Sequence, residues 1–417
     1  MQLARPFDRL IDCPVQVETN PDTHDRPRSP TIVVPVPGDP QPISSRVGVV
    51  GAGQLARMMG EVAHHVGVEL SVLALNGDDS AVATADRVVF GDPSDRAALA
   101  ELAHGVDVVT FDHELVDLEI LDVLAHEGVI LRPSPASLRF AVDKAYQRVR
   151  FAEHGLPVPR FIVVDSPNDP ALHAFLDSLA APPVVKVARG GYDGRGVFFP
   201  DRVGEVAALV ESLDTVVVVE ERLELLGEVA QLLVRGRDGE VAHYPMVTTV
   251  QSDGMCVEVR FPSQFPGFAA QAAALGHEVA DLVGAIGIIA IELFVTDAGL
   301  VINEVALRPH NTGHWTIEGA ATDQFANHLR AVSGQRLGPT KPVVAHAVMV
   351  NVVGADEPAM PAAGRAVEGA FVHDYGKAWR PGRKLGHVTA VDDDVERARV
   401  TAWAGALAYG TRTREAT

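Results

Sequence analysis

The stretch IELFVTDAGLVINEVA, Ile291 to Ala306, decides how the chain arranges its chemistry. Two apolar runs, Ile288 to Thr296 and Leu300 to Val305, flank Asp297-Ala298-Gly299, a pattern that predicts a β-hairpin with Gly299 at positive φ. A three-residue loop sets Glu292 directly opposite Glu304 on one side of the ribbon. Opposed carboxylates, with β-carbons about 4.5–5.5 Å apart, repel unless a cation lies between them or one is protonated. A magnesium ion, which takes carboxylates together with nucleotide phosphates, suits the pair. The alternative is a solvated hairpin edge, but Ile291, Leu293, Phe294, Val301 and Ile302 favour a buried ribbon.

Upstream, Lys186 stands within Val184-Val185-Lys186-Val187, where an ammonium must be paired or lose its charge. An anionic ligand is one partner; the other reading is the wet face of an edge strand. Just beyond lies Gly190-Gly191-Tyr192-Asp193-Gly194-Arg195-Gly196, whose glycines let backbone N–H groups close on phosphate while Arg195 adds a fork of donors. Composition alone also allows a loose hairpin tip. Glu220, Glu221 and Arg222 end an apolar strand and Glu228 follows Gly227; backbone there suits a base edge and a carboxylate suits ribose hydroxyls.

Downstream, ALRPHNTGHWTI (Ala306–Ile317) places a guanidinium beside the opposed acids. His310 and His314 share the i, i+4 spacing of zinc ligands, but Thr312 and Gly313 argue against the helix that spacing needs. Lys377-Ala378-Trp379-Arg380-Pro381-Gly382-Arg383-Lys384 gathers four cations, either a phosphate grip or a solvated face. The turn Gly48-Val49-Val50-Gly51-Ala52-Gly53-Gln54-Leu55-Ala56 has the glycine spacing of a phosphate-binding strand–helix junction. The second strand ends in Ala74-Leu75-Asn76 rather than an acid, which disfavours an adenine dinucleotide.

Short β-branched runs (Val47–Val50, Leu70–Leu75, Val88–Phe90, Val106–Phe111, Val129–Leu131) alternate with helical lengths, the signature of a doubly wound parallel sheet. The organisation expected is an extension over 1–44, a Rossmann-like unit over 45–135, a central unit over 136–345 with a lid at about 145–220, and a small, mostly β unit over 346–410. Ala136–His154 reads as one helix. With 35 basic against 55 acidic residues, the net charge of −20 repels nucleic acid. The longest nearly apolar stretch, Val283–Ile291, is too short for a bilayer, and the opening residues lack a secretory core. Two cysteines, Cys13 and Cys256, make no disulfide framework, so a reducing cytoplasm is expected.

Together GAGQLARM, GYDGRG, NEVALRPHNTGHWTIEGA and YGKAWRPGRKLGH, in this order across about residues 46–405, resemble the ATP-grasp superfamily. Within it, they resemble the 5-(carboxyamino)imidazole ribonucleotide synthases. The resemblance implies an ATP-grasp fold of mixed α/β and α+β character, and ATP held by Lys144, Lys186, Gly191 to Val197 (Tyr192, Asp193, Gly194, Arg195 and Gly196 between), Glu220, Glu221, Arg222, Leu223, Glu228, Gln251 and Asn303. It implies magnesium, or manganese in its place, on Glu292 and Glu304. Arg308, His310 and Asn311 would face bicarbonate and the moving phosphoryl group, with Tyr192, Asp193 and Arg195 beside 5-aminoimidazole ribonucleotide. The phosphate of that substrate falls to Lys377, Arg380, Arg383 and Lys384, enclosed by Gln54, Leu55 and Glu114.

The implied reaction is carboxylation of the substrate amine through carboxyphosphate, in purine biosynthesis, with Asp193 or His310 accepting the proton. The glycine loop is the implied lid, and the family habit is a homodimer. Three departures stand out: Thr110-Phe111-Asp112-His113-Glu114-Leu115 where Thr-Phe-Glu-x-Glu-Asn is usual, Gln251 for a nucleotide-contacting histidine, and Leu307 for a proline. Rival readings are a formate- or amino-acid-using ligase with the same ATP site, a nicotinamide oxidoreductase, and a non-catalytic nucleotide-binding regulator.

Overall fold

The computed structural model describes residues 44–191, 196–252 and 254–412. The expected extension over 1–44 falls outside them except for Ser44. The first unit runs β1 (Ser45–Val50), α1 (Gln54–Ala63), β2 (Val68–Ala74), β3 (Arg87–Phe90), α2 (Arg96–Ala103), β4 (Val108–Phe111) and α3 (Leu118–His126). Its strands pair in parallel in the order β3-β2-β1-β4. Val47, Val49 and Val50 are wholly buried, as expected of a central strand covered on both faces. Val129–Leu131, expected as a fifth strand, forms only a single bridge from Leu131 to Val109. Pro133 and Pro135 follow immediately, and proline has no N–H to extend a ladder.

The expected helix over Ala136–His154 is two helices, α4 (Pro135–Val142) and α5 (Lys144–Glu153). Asp143 breaks them: its backbone is extended (φ −123°, ψ 99°) and its carboxylate accepts from the Tyr146 N–H at 2.9 Å, capping α5. Arg189 fixes that carboxylate at 2.8 Å. Lys144 therefore starts a helix, and its N–H donates to the Ala188 carbonyl at 2.8 Å.

A four-stranded antiparallel sheet follows: β5 (Phe161–Val164), α6 (Pro170–Asp177), β6 (Val184–Val187), β7 (Val197–Phe198), α7 (Val206–Leu213) and β8 (Val217–Glu220), in the order β5-β8-β6-β7. The rest of the chain builds one sheet of nine strands. It takes β9 (Gly227–Arg235), β10 (Val241–His243), β11 (Val247–Ser252), β12 (Met255–Phe261), α8 (Ala269–Val283), β13 (Gly287–Thr296), β14 (Gly299–Ala306), α9 (Thr316–Gly319), α10 (Gln324–Ser333), β15 (His346–Val353), α11 (Pro361–Arg365), β16 (Ala370–Asp374), β17 (Lys384–Asp392) and α12 (Val395–Tyr409). The order is β14-β13-β9-β11-β12-β15-β17-β16, with β10 on β9. The carboxy-terminal strands are thus a continuation of the central sheet through the β12–β15 pair.

Helix α10 joins this sheet to the first unit. Phe325, Leu329 and Val332 share a buried cluster with Val47, Val49 and Met59. His328 is wholly buried between them: its Nδ1 accepts from the Ile288 N–H at 3.1 Å, which leaves Nε2 to donate to Thr110 Oγ1 at 2.8 Å. No helix among the described residues is long and apolar enough to cross a membrane.

Candidate active site

The hairpin β13–β14 carries the two acids, and its turn is tighter than expected. Thr296 pairs with Gly299 across a two-residue loop, with Gly299 at φ 126°. That register alone would set Glu292 against Asn303. A bulge at Asn303, between the pairs Leu293–Ile302 and Glu292–Glu304, shifts the ribbon by one residue and brings the carboxylates opposite each other. The facing acids follow from the bulge rather than from a three-residue loop.

Around them, charge is arranged in a closed set. Lys144 Nζ lies 3.1 Å from Glu304 Oε2. Lys186, 7% exposed on β6, donates to Asn303 Oδ1 at 3.0 Å and pairs with Glu220 Oε2 at 2.8 Å. Lys144 holds the Glu304 carboxyl well below the usual carboxylate range, although burial opposes it, and the Glu304 side chain is still 43% exposed to the cleft. Burial raises Glu292, and the neighbouring charges of Glu304 and Glu228 raise it further. Glu228 on β9 is pushed up to about 7 by burial, against hydrogen bonding from Gln251. His310 Nε2 is 3.8 Å from Glu292 Oε1, and its Nδ1 bonds Thr312 Oγ1 at 2.9 Å. Arg308 Nε donates to Glu114 Oε2 at 2.8 Å, a bond from the end of β14 to the loop after β4.

The other expected residues are distributed around this centre. Gly191 and Val197 bracket the glycine loop, and Gly196 has φ 78°. Tyr192, Asp193, Gly194 and Arg195 lie outside the described residues. Past Glu220, Glu221 accepts from the Arg160 N–H at 2.9 Å, Arg222 lies over the Phe199 ring, and Leu223 is half-buried. Lys377 Nζ donates to Gln54 Oε1, joining the cationic run to the start of α1. The Leu55 side chain packs into the first unit's core. Arg383 donates to the Ala378 carbonyl at 3.0 Å, Arg380 is exposed, and Lys384 opens β17 close enough to lower Glu292. His314 stacks on His387 at 4.7 Å and is bonded to Gln324.

The glycine turn of β1–α1 is filled from within. Asp112 accepts from the Gly53 N–H at 2.6 Å and the Ala56 N–H at 3.0 Å, so a carboxylate of the protein sits where an anion would bind. A Cβ on Gly53 would lie 2.4 Å from Asp112 Oδ2. Two further residues, Arg148 and Glu318, escaped the sequence reading. Arg148 is one helical turn beyond Lys144, and that i, i+4 spacing was its only signal. Asn311, expected to face bicarbonate, lies beside the thiol of Cys256, which burial pushes up to about 12. Glu318 binds His373, and nothing in its local sequence marks it.

An ATP-grasp domain model matches residues 149–325, preceded by a ribonucleotide synthetase preATP-grasp domain over 44–142 and followed by a phosphoribosylaminoimidazole carboxylase C-terminal domain over 347–401. The chain is 43% identical over 377 residues to the N5-carboxyaminoimidazole ribonucleotide synthase of Mycobacterium tuberculosis (strain ATCC 25618 / H37Rv), covering 86% of this chain and 87% of the relative. The chain belongs to the N5-carboxyaminoimidazole ribonucleotide synthase family. This is the family that the sequence resembles under the name 5-(carboxyamino)imidazole ribonucleotide synthase. The synthetase of Thermus thermophilus superposes with a TM-score of 0.80 at 33% identity, covering 88% of this chain and 100% of that one. The synthase of Aspergillus clavatus, solved with ADP and 5-aminoimidazole ribonucleotide, gives 0.80 at 29% identity, covering 88% and 98%.

Proposed function

We infer that the cleft between the hairpin β13–β14, Lys144 and Lys186 carries out the family reaction. ATP and bicarbonate carboxylate the exocyclic amine of 5-aminoimidazole ribonucleotide, giving 5-(carboxyamino)imidazole ribonucleotide, ADP and phosphate for purine biosynthesis. The observation that carries this reading is the pair Glu292–Glu304, two acids held face to face by a bulge with two lysines beside them.

The acid pair fits a magnesium ion: hard oxygen donors repel one another there, burial raises one of them, and the other stays open to the cleft. Bound magnesium would supply charge neutralisation on the nucleotide phosphates. Lys144 and Lys186 would bind and orient those phosphates, while Glu228 and Gln251 face the nucleoside. A bicarbonate oxygen attacks the γ-phosphorus and ADP leaves, with Arg308 balancing charge on the phosphoryl oxygens. Glu114 aims that guanidinium. The amine then forms its N–C bond to the carbon of carboxyphosphate, or of the carbon dioxide it releases, and phosphate departs. The amine proton goes to Asp193 or to His310. Lys377, Arg380, Arg383 and Lys384 would grip the ribose phosphate, near Gln54, Leu55 and Glu114. Tyr192 and Arg195 would close the lid against water.

A coupled ADP-release assay tests this: omission of either bicarbonate or 5-aminoimidazole ribonucleotide should abolish steady ADP release. Equal release with formate or glycine as the second substrate overturns it. A cytoplasmic homodimer completes the reading, supported by family habit and cysteine usage; light scattering checks the dimer.

A further inference from the structure

Arg148 is 2% exposed, yet it carries a charge into the wall of the nucleotide cleft. All three of its donor nitrogens are spoken for. Nε donates to Glu220 Oε1 at 2.6 Å, Nη1 to Gln147 Oε1 at 3.0 Å, and Nη2 to the backbone carbonyl of Asn303. Gln147 is itself held by the Phe140 carbonyl at 2.7 Å, so the guanidinium sits in a fixed frame. Asn303 is the bulged residue, the one whose extra position brings Glu304 opposite Glu292. A bulge leaves a carbonyl outside the ladder, and a buried carbonyl without a donor is costly. Arg148 provides that donor.

The same arginine meets the nucleotide lysine through a shared acid. Glu220 takes Arg148 on one oxygen and Lys186 on the other, and Lys186 in turn reaches the Asn303 side chain. Arg148, Glu220, Lys186 and Asn303 thus close a ring of contacts around one residue of backbone, with both atoms of recognition, the Asn303 carbonyl and its amide oxygen, held by cations. A lysine in place of the arginine could keep the pair with Glu220 but could not fork to a second acceptor in a fixed plane.

We propose that Arg148 is a positioning residue for the metal–nucleotide site: by binding the Asn303 carbonyl it locks the bulge that sets Glu292 and Glu304 in register. The inference rests on the magnesium reading above. Its test is calorimetric titration of the intact protein with ADP, with and without magnesium, on the parent, Arg148→Lys and Arg148→Met. In the parent, magnesium should tighten ADP binding. In Arg148→Lys that enhancement should fall by about tenfold, the usual cost of losing support behind a metal ligand, with the thermal midpoint lowered only by the loss of the Asn303 carbonyl's donor. Metal-free ADP affinity should change less than the magnesium enhancement.

Arg148→Met should lose the enhancement entirely if it folds; if it does not, Arg148→Lys decides. Full magnesium enhancement in Arg148→Lys overturns the inference. So does a loss of metal-free ADP affinity as large as the loss of the magnesium enhancement. No magnesium enhancement in the parent instead overturns the metal reading on which the inference stands.

Discussion

Replacing Glu292 by Gln removes one of two like charges that face each other in a buried ribbon, while keeping volume and hydrogen-bonding shape. Relief of the repulsion should leave the urea midpoint at pH 8 equal to or above the parent's, and ATP turnover should drop by about a hundredfold or more. A functional acid that destabilises its own fold is the expected signature of a binding site. Buried histidines give the second prediction. Burial pulls His314 and His387 well below the usual imidazole range and His328 to about 3. The folded state therefore needs them neutral, so their contribution is complete above about pH 6.5 and drains away as pH falls toward 3. His373 has the opposite sign: burial lowers it, but the charge and hydrogen bond of Glu318 outweigh that, so it stabilises below about 6.5 and stops doing so above its folded pKa. Glu228, pushed up to about 7, and Glu292, raised beside it, take up protons on folding and oppose the histidines, so the effect is isolated in a Glu228→Gln, Glu292→Gln variant, whose unfolding free energy from urea melts should fall between pH 7 and pH 5.5 by about 1 kcal/mol or more.

At the scale of elements, the strand–helix junction of the first unit offers a direct check. Gly53→Ala places a methyl carbon against the Asp112 carboxylate, which is held by two backbone N–H groups. A loss of about 1–3 kcal/mol in chemical denaturation is expected, because neither side can yield freely. The same junction shows where sequence reading stops. The strands β1 to β4, the hairpin and the acids on it were legible because alternation, β-branching and turn residues are local signals. What filled the glycine turn was not, since Asp112 reaches it from 59 residues away in sequence. Helix α4–α5 looked continuous because Asp143 is only a weak breaker; its partner Arg189 lies 46 residues on. The bulge at Asn303 was invisible for the same reason, and two offsetting differences, a shorter turn and an extra residue, left the expected acid pair in place.

Across the whole molecule, one sheet joins the hairpin β13–β14 to the carboxy-terminal strands, and a buried acid secures the seam. Glu258 on β12, 1% exposed, accepts from Arg260, from Arg399 at 3.3 Å and from Trp403 of α12. Glu258→Ala strands two arginines in a low-dielectric seam, so a loss of about 3–5 kcal/mol is expected in equilibrium unfolding. Circular dichroism and tryptophan fluorescence should then report separated transitions where the parent shows one. On the other side of the molecule, His328 spans from the backbone of β13 to the side chain of Thr110 with its tautomer already chosen. The ring hydrogen on Nε2 is shielded from water only while the first unit and the central sheet stay in contact. Its resonance in a nitrogen-15 spectrum is therefore a built-in gauge of whether those two bodies part, readable without substituting any residue and without touching the nucleotide cleft.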